Sequence, residues 1–345
     1  MCRFYNLDFN SLSRMCFVFV ISFFLLISCG EKMDGPVIVT PHQIKTPLYF
    51  PTNLNIPEDN PLTEEGIQLG RYLFYDGRLS GRTHPDSLMS CASCHLQKNA
   101  FECGIDHPIY IGGQPHGIHG DKTPHVMLPL INLVYNENGY LWNGKVSRDN
   151  PDSRFRNIED LVWMGVMAPH EMAGDTTRVK ELFNSIPEYR TLFYNAFGQD
   201  EITFDLVSKA IAQFIRVLIS SDSKFDQYLR GEYQLSMSEL NGYDLFTTEE
   251  GADCFHCHGG GGNVLFTSNL FYNNGKDSIF TGQFEDPGDR YHFTNDENDR
   301  GAYKATTLRN IELTGPYMHD GRYKTLDEVI DFYSHHILYS PYVNS

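Results

Sequence analysis

Two five-residue stretches carry chemistry that the rest of the chain must position: Cys91-Ala92-Ser93-Cys94-His95 and Cys254-Phe255-His256-Cys257-His258. Both read C-x-x-C-H, the attachment signature of a c-type haem. Two thiols three positions apart can bond the two vinyl groups on one porphyrin edge. The His that follows then lies under the iron and supplies its proximal nitrogen. A redox dithiol or half of a zinc site also uses C-x-x-C. A dithiol has no need of the His, and a zinc site would join pairs as distant as Cys94 and Cys254 while leaving both His idle. The sequence therefore predicts two covalent haems, attached at Cys91 and Cys94 and at Cys254 and Cys257, with His95 and His258 as iron ligands.

Each motif follows a similar local plan, a helix and a loop before C-x-x-C-H. Thr63-Glu64-Glu65-Gly66 opens a helix with Ile67, Leu69, Leu73 and Phe74 among its apolar positions, ending near Asp76-Gly77. A Gly-rich loop runs from Cys103 through Gly112, Gly113, Gly117 and Gly120. Thr176 to Phe197 reads as a helical pair broken at Pro187. Asp205 to Leu229 is the longest periodic segment, with Leu206, Ile211, Phe214, Ile215, Leu218 and Phe225 in one stripe; it predicts a single helix crossing between two haem domains. A short helix, Ser238 to Phe246, leads into the second motif, where Gly259 to Gly262 frees the backbone to follow a porphyrin edge. Strand signals are sparse. The reading is a mostly α chain of two cytochrome-c-like haem domains, residues 61–230 and 231–345.

A hydrophobic content of 41% in 345 residues supports a sizeable core. The net charge of −17 argues against nucleic acid and suits a basic protein partner. Arg3 and Arg14 precede an apolar run, Met15 to Ile27, too short to span a membrane, which needs ~20 residues. Leu26-Ile27-Ser28-Cys29 follows and resembles a bacterial lipobox. Residues 1–28 are therefore expected to be a lipoprotein signal peptide, with Cys29 acylated and the protein tethered on the periplasmic side of a membrane by that anchor alone. Residues 29–60, with Pro36, Pro41, Pro47, Pro51 and Pro57, read as the tether. Cys103 is then a free or buried thiol with no assigned role.

Further stretches carry a resemblance to a known family: Leu69-Gly70-Arg71-Tyr72-Leu73-Phe74-Tyr75-Asp76, Leu141-Trp142-Asn143-Gly144-Lys145, Ala168-Pro169-His170-Glu171-Met172, Thr307-Leu308-Arg309-Asn310 and Thr314-Gly315-Pro316-Tyr317-Met318-His319-Asp320-Gly321-Arg322. With the two haem motifs, they resemble the bacterial di-haem cytochrome c peroxidases, which include the MauG-type enzymes. The resemblance implies reduction of hydrogen peroxide to water at the N-terminal haem. The C-terminal haem takes electrons from a small cytochrome c or cupredoxin, and Trp142 relays them. It makes Glu171 the acid–base group and His119, with His116 nearby, a ligand that caps the N-terminal iron at rest. A MauG-type enzyme would instead turn peroxide on a protein or organic substrate, and a plain di-haem carrier would have no openable iron.

In this family the second ligand of the C-terminal iron lies about fourteen residues past the His of the His-Asp-Gly turn. From His319 that is Tyr333, with Met318 and His335 as alternatives. Peroxidases generally place Met there and MauG-type enzymes Tyr. Three departures stand out. The Gln common ten residues before the catalytic Glu is here Leu161. A calcium ion expected on the carbonyls of Thr314 and Pro316 lacks its usual Asn, near Val126 and Met127. The family also tends to continue past Pro341-Tyr342-Val343-Asn344-Ser345 with a final helix, so a truncated second half is expected.

Overall fold

The computed structural model describes residues 36–111, 114–148, 155–260, 262–277 and 288–343. The expected signal peptide and Cys29 lie outside these, as do Gly112 and Gly113 of the Gly-rich loop.

Helices start where the sequence supplies a cap. Helix α1 (Glu64–Tyr75) begins at Thr63, whose hydroxyl accepts the Gly66 N–H. Helix α2 (Ile158–Met167) opens with reciprocal bonds between Asn157 and Asp160. The expected pair is α3 (Thr176–Asn184) and α4 (Pro187–Phe197), parted where Pro187 brings no N–H to continue the ladder. Then come α5 (Phe204–Arg216), α6 (Lys224–Leu229), α7 (Met237–Thr247), α8 (Phe255–His258), α9 (Tyr291–Thr294) and α10 (Leu326–His335). Short 3-10 turns, one of them at Cys91–Ser93, and two short antiparallel ladders complete the described elements. In one, β1 (Tyr110–Ile111) pairs with β2 (Gln114–Pro115); in the other, β3 (Phe271–Tyr272) pairs with β4 (Tyr303–Lys304), Phe271 opposite Lys304. The fold is mostly α.

Helix α5 is buried along almost its whole length and centres the main core. Leu69, Leu73 and Phe74 of α1 pack on it, with Val162 and Val166 of α2 and Phe183 and Phe193 of α3 and α4 in the same cluster. Close approach of α1 to α5 requires Gly70, because a Cβ there would sit 1.9 Å from the Ala210 carbonyl oxygen. A second, much smaller cluster gathers Phe50, Val134, Tyr135, Val264 and Leu265. Each cluster is pinned by a buried guanidinium fork. Arg216 spans both oxygens of Glu159 at 2.6 and 2.8 Å and sends Nε to the Asn55 carbonyl. Arg309 spans Asp226 at 2.9 and 2.5 Å and sends Nε to the Val264 carbonyl.

Two expectations need correction. The segment Asp205 to Leu229 is two helices, not one. Val217 and Leu218 donate to Phe214 and Ile215 in a tightened last turn, and a Ser-rich link follows. Ser223 and Asp226 then cap α6 reciprocally. Phe225 leaves the α5 stripe and packs on Tyr243 and Phe266 instead. The lead-in is not a free tether over its described part. Phe50 is buried 5.4 Å from the Tyr135 ring, Asn55 N–H donates to Val134, and Asn60 donates to Glu159 at 2.6 Å. Its prolines prevent a helix, but its apolar side chains still need cover.

Candidate functional site

Both C-x-x-C-H motifs fold as a helical turn. At the first, Cys94 and His95 N–H both point to the Cys91 carbonyl, at 3.2 and 2.9 Å; at the second, His258 N–H donates to Cys254 at 3.1 Å. Helical geometry puts positions i, i+3 and i+4 on one face, so each pair of thiols and its His share a side. All four thiols are unbridged.

Each His is oriented from behind. His95 Nδ1 meets the Phe101 carbonyl at 2.6 Å, and His258 Nδ1 meets the Thr306 carbonyl at 3.2 Å. A carbonyl only accepts, so Nδ1 carries the proton and Nε2 keeps its lone pair, the form an iron ligand needs. Burial also lowers the pKa of both imidazoles and favours the neutral ring. Ala100 and Phe101, consecutive residues in left-handed conformation, turn the Phe101 carbonyl toward His95.

The first motif opens onto a cavity of about 660 Å³. Its wall includes Cys91, Cys94, His95, Trp142, Glu171 and Lys304. The space, the two thiols and the backed His fit a covalent porphyrin; the mostly apolar remainder suits its faces. The second motif lies outside this wall, but Thr306, which orients His258, belongs to it.

Glu171 sits in the turn that ends α2, its carbonyl accepting the Ile118 N–H at 2.9 Å. The Gly-rich loop can approach this closely because Gly117 has no Cβ; one there would sit 2.3 Å from the His170 carbonyl oxygen. Burial pushes the Glu171 carboxyl up to about 7, and the nearby Lys145 charge pulls it back down. Leu161 lines the same cavity, so an apolar side chain stands where the family commonly has a polar one. Burial pushes the Cys91 and Cys94 thiols up to about 12, and Glu171 adds to both shifts.

Trp142 reaches the same wall. Its indole N–H donates to the Val126 carbonyl at 3.0 Å, and its ring meets His319 edge-on at 6.3 Å. His319 stacks on Tyr303 at 3.5 Å. Tyr333, on α10, accepts from Asn274 Nδ2 at 3.1 Å; the same nitrogen lies 3.6 Å from Met318 Sδ. The Cys254 and Cys257 charges act on the Tyr333 phenol, whose pKa burial raises, so Tyr333 is brought to the second motif. His335 instead pairs with Asp331 on the surface. His119 is exposed and does not line the cavity, and His116 Nδ1 contacts the Ile109 and Gln114 carbonyls. Cys103 is buried, and burial raises its pKa.

The di-haem cytochrome c peroxidase family model matches residues 64–234. The chain is 32% identical over 275 residues to the cytochrome c551 peroxidase of Nitrosomonas europaea, covering 79% of this chain and 73% of that one. It is 31% identical over 295 residues to the methylamine utilization protein MauG of Methylorubrum extorquens, covering 84% and 74%. The chain belongs to the di-haem cytochrome c peroxidase family. It is a peroxidase, an oxidoreductase of the type that carries two c-type haems. A crystal structure of a MauG-like protein associated with microbial copper homeostasis superposes with a TM-score of 0.73 at 33% identity, covering 88% of this chain and 86% of that one.

Sequence reasoning missed the residues that tune this site. Lys145 was visible only as part of a family motif, although its charge acts on Glu171. Lys304 carries no motif of its own, and the Phe101 and Thr306 carbonyls are backbone groups that a residue list does not reveal.

Proposed function

We propose that the enzyme reduces hydrogen peroxide to water in the cavity beside Cys91-Ala92-Ser93-Cys94-His95, using two electrons and two protons per peroxide, the electrons entering from a small cytochrome c or cupredoxin at the second haem. The observation that carries this is one cavity wall holding the thiols, the oriented His95 and a carboxyl with a pKa of about 7. The haems, when bound, supply the iron and the one-electron redox chemistry. Glu171 takes a proton from the oxygen of peroxide that stays and returns it to the oxygen that leaves. A carboxyl poised near neutrality can do both. Trp142 is the relay between the halves. Its N–H faces a carbonyl, a poor base, so the ring keeps its proton during electron transfer.

Residues 61–230 and 231–345 are the two haem units of this reading, with Tyr333 the residue that, beside His258, would hold the iron of the later one. Export on a signal peptide and acylation of Cys29 place the protein on the periplasmic side; among the described residues no helix is long and apolar enough to cross a membrane. Those residues also hold no cluster of three His, Cys, Asp or Glu side chains able to bind a metal. Calcium would thus rely on carbonyls such as those of Thr314 and Pro316, and no step depends on it. Tyr333 favours a second reading, peroxide-driven oxidation of a protein or organic substrate, since a phenolate ligand suits holding oxidising equivalents.

The test is Glu171→Gln. Removing the proton carrier at constant shape should lower peroxide turnover ~10²-fold or more. A pyridine haemochrome assay should still give two haems. Unaltered turnover removes Glu171 from the reaction.

A further inference from the structure

Four Lys or Arg residues are buried among the described residues: Arg216, Lys276, Lys304 and Arg309. Three hold a carboxylate. Arg216 pairs with Glu159, Arg309 with Asp226, and Lys276 with both Asp277 and Asp320. Lys304 pairs with no described carboxylate. Its Nζ donates to the Asn269 carbonyl at 2.9 Å and rests 4.4 Å from the centre of the Phe271 ring. The fully buried Asp289 is engaged elsewhere, with His292 at 2.7 Å and the Gly301 N–H at 2.8 Å.

An ammonium buried without an anion is costly, and proteins rarely keep one. Burial and the Arg290 charge accordingly pull Lys304 down to about 7. Lys304 also lines the cavity that holds Cys91 and Cys94. The thiols and Glu171 act on one another electrostatically, whereas the charge acting on Lys304 is Arg290. Two lysines thus line the wall: Lys145 acts on Glu171 and so lies with the thiols, whereas Lys304 sits under the charge of Arg290 and is the cation left for another group. A covalently bound porphyrin has the matching polarity: two thioether-linked carbons on one edge, where the vinyl groups were, an apolar ring, and two carboxylates on the far edge.

We propose that Lys304 is the counter-ion of a carboxylate of the haem attached at Cys91 and Cys94. This rests on the cavity holding that haem. It makes the later half of the chain contribute a binding residue to the earlier half's cofactor. The contact lies one residue from Tyr303, and the Lys304 backbone N–H donates to the Trp142 carbonyl at 2.7 Å.

The test compares holoenzymes of Lys304→Met and Lys304→Arg with wild type. Two haems per chain in the wild-type haemochrome assay verify the underlying reading separately. Loss of the cation leaves a negative charge beside one iron and favours its ferric form. Spectroelectrochemical titration of Lys304→Met should show one midpoint potential moved negative and the other unchanged, while Lys304→Arg keeps both. A Lys304→Met protein with two haems and wild-type potentials overturns the proposal. If Lys304→Met fails to retain the first haem, the resonance Raman propionate-bending band of Lys304→Arg decides. A shift from wild type supports the contact; an identical band overturns it.

Discussion

Around Cys91–His95 the chain builds an enclosure: α5 and the helices on it form a continuous apolar cluster, and a wide cavity opens beside the thiols. Around Cys254–His258 it builds much less. Helix α7 buries no residue, the apolar cluster there is small, and α10 leaves Ile330 61% exposed. Burial pushes both first thiols up to about 12, while the second pair is raised less far. The same five-residue turn, with its His backed by a carbonyl in both places, is thus housed once beside an enclosed cavity and once under sparser cover, the contrast expected if peroxide reacts at the first and electrons enter at the second as proposed. Peroxide reduction needs water controlled around a proton carrier. An electron entry point needs a haem edge near the surface.

The buried forks give the largest test of this contrast. Breaking a buried ion pair by removing one partner costs about 3–5 kcal/mol. Arg216→Ala and Arg309→Ala should each lose about that much, read by urea unfolding of the holoenzyme. The consequences should differ. Arg216→Ala leaves a large core standing, so both haem spectra should melt together at lower urea. Arg309→Ala removes a principal tie of the small cluster, including its contact over Phe50, so the second haem's signal should change first. Simultaneous loss of both signals in Arg309→Ala would erase the proposed difference in housing.

A smaller effect probes the enclosure itself. The form of Glu171 that accepts a proton is the carboxylate. Its pKa is raised by burial to about 7, so this form is scarce below that value and gains as pH rises through it. Peroxide turnover at low substrate should rise correspondingly. The Lys145 charge lowers this pKa, so Lys145→Met should move the midpoint to higher pH without removing activity. A midpoint unmoved by that substitution would show that Lys145 does not act on the proton carrier.

Much of this was legible in the residues. Spacing alone put the thiols and the His of each motif on one side, because i, i+3 and i+4 share a helical face in any surroundings. Helix α1 and the α3–α4 pair followed from a Thr cap and a Pro that cannot donate. The break after α5 was hidden because Leu218 and Phe225 keep the apolar period across it, although the chain turns at Ser220–Ser223. Lys304 was hidden for a different reason. A lysine is ordinarily a surface residue, and only packing reveals one buried with no described carboxylate beside it.

The smallest predicted effect concerns what closes the second iron. In the first half the residue proposed to act on peroxide is a carboxyl; in the second, the side chains brought to the motif are Tyr333 and Met318, both within reach of Asn274 Nδ2. Met318 is held in a left-handed backbone conformation that side chains rarely adopt, which fixes its position in the turn before α10. Tyr333 lies on α10 itself, where the Cys254 and Cys257 thiols act on its phenol. Burial raises the phenol pKa, so Tyr333 would serve as the proposed ligand only where binding to ferric iron outweighs the cost of losing its proton. A hard anionic ligand then lowers the potential of that haem relative to a thioether. Tyr333→Met should raise one midpoint potential and add the sulfur-to-iron band near the red end of the ferric spectrum. Asn274→Ala, which removes the hydrogen bond to the phenol, should shift the same potential by less. If wild-type protein already has that band, Met318 is the ligand, and the second half is tuned for electron uptake instead of for holding oxidising equivalents.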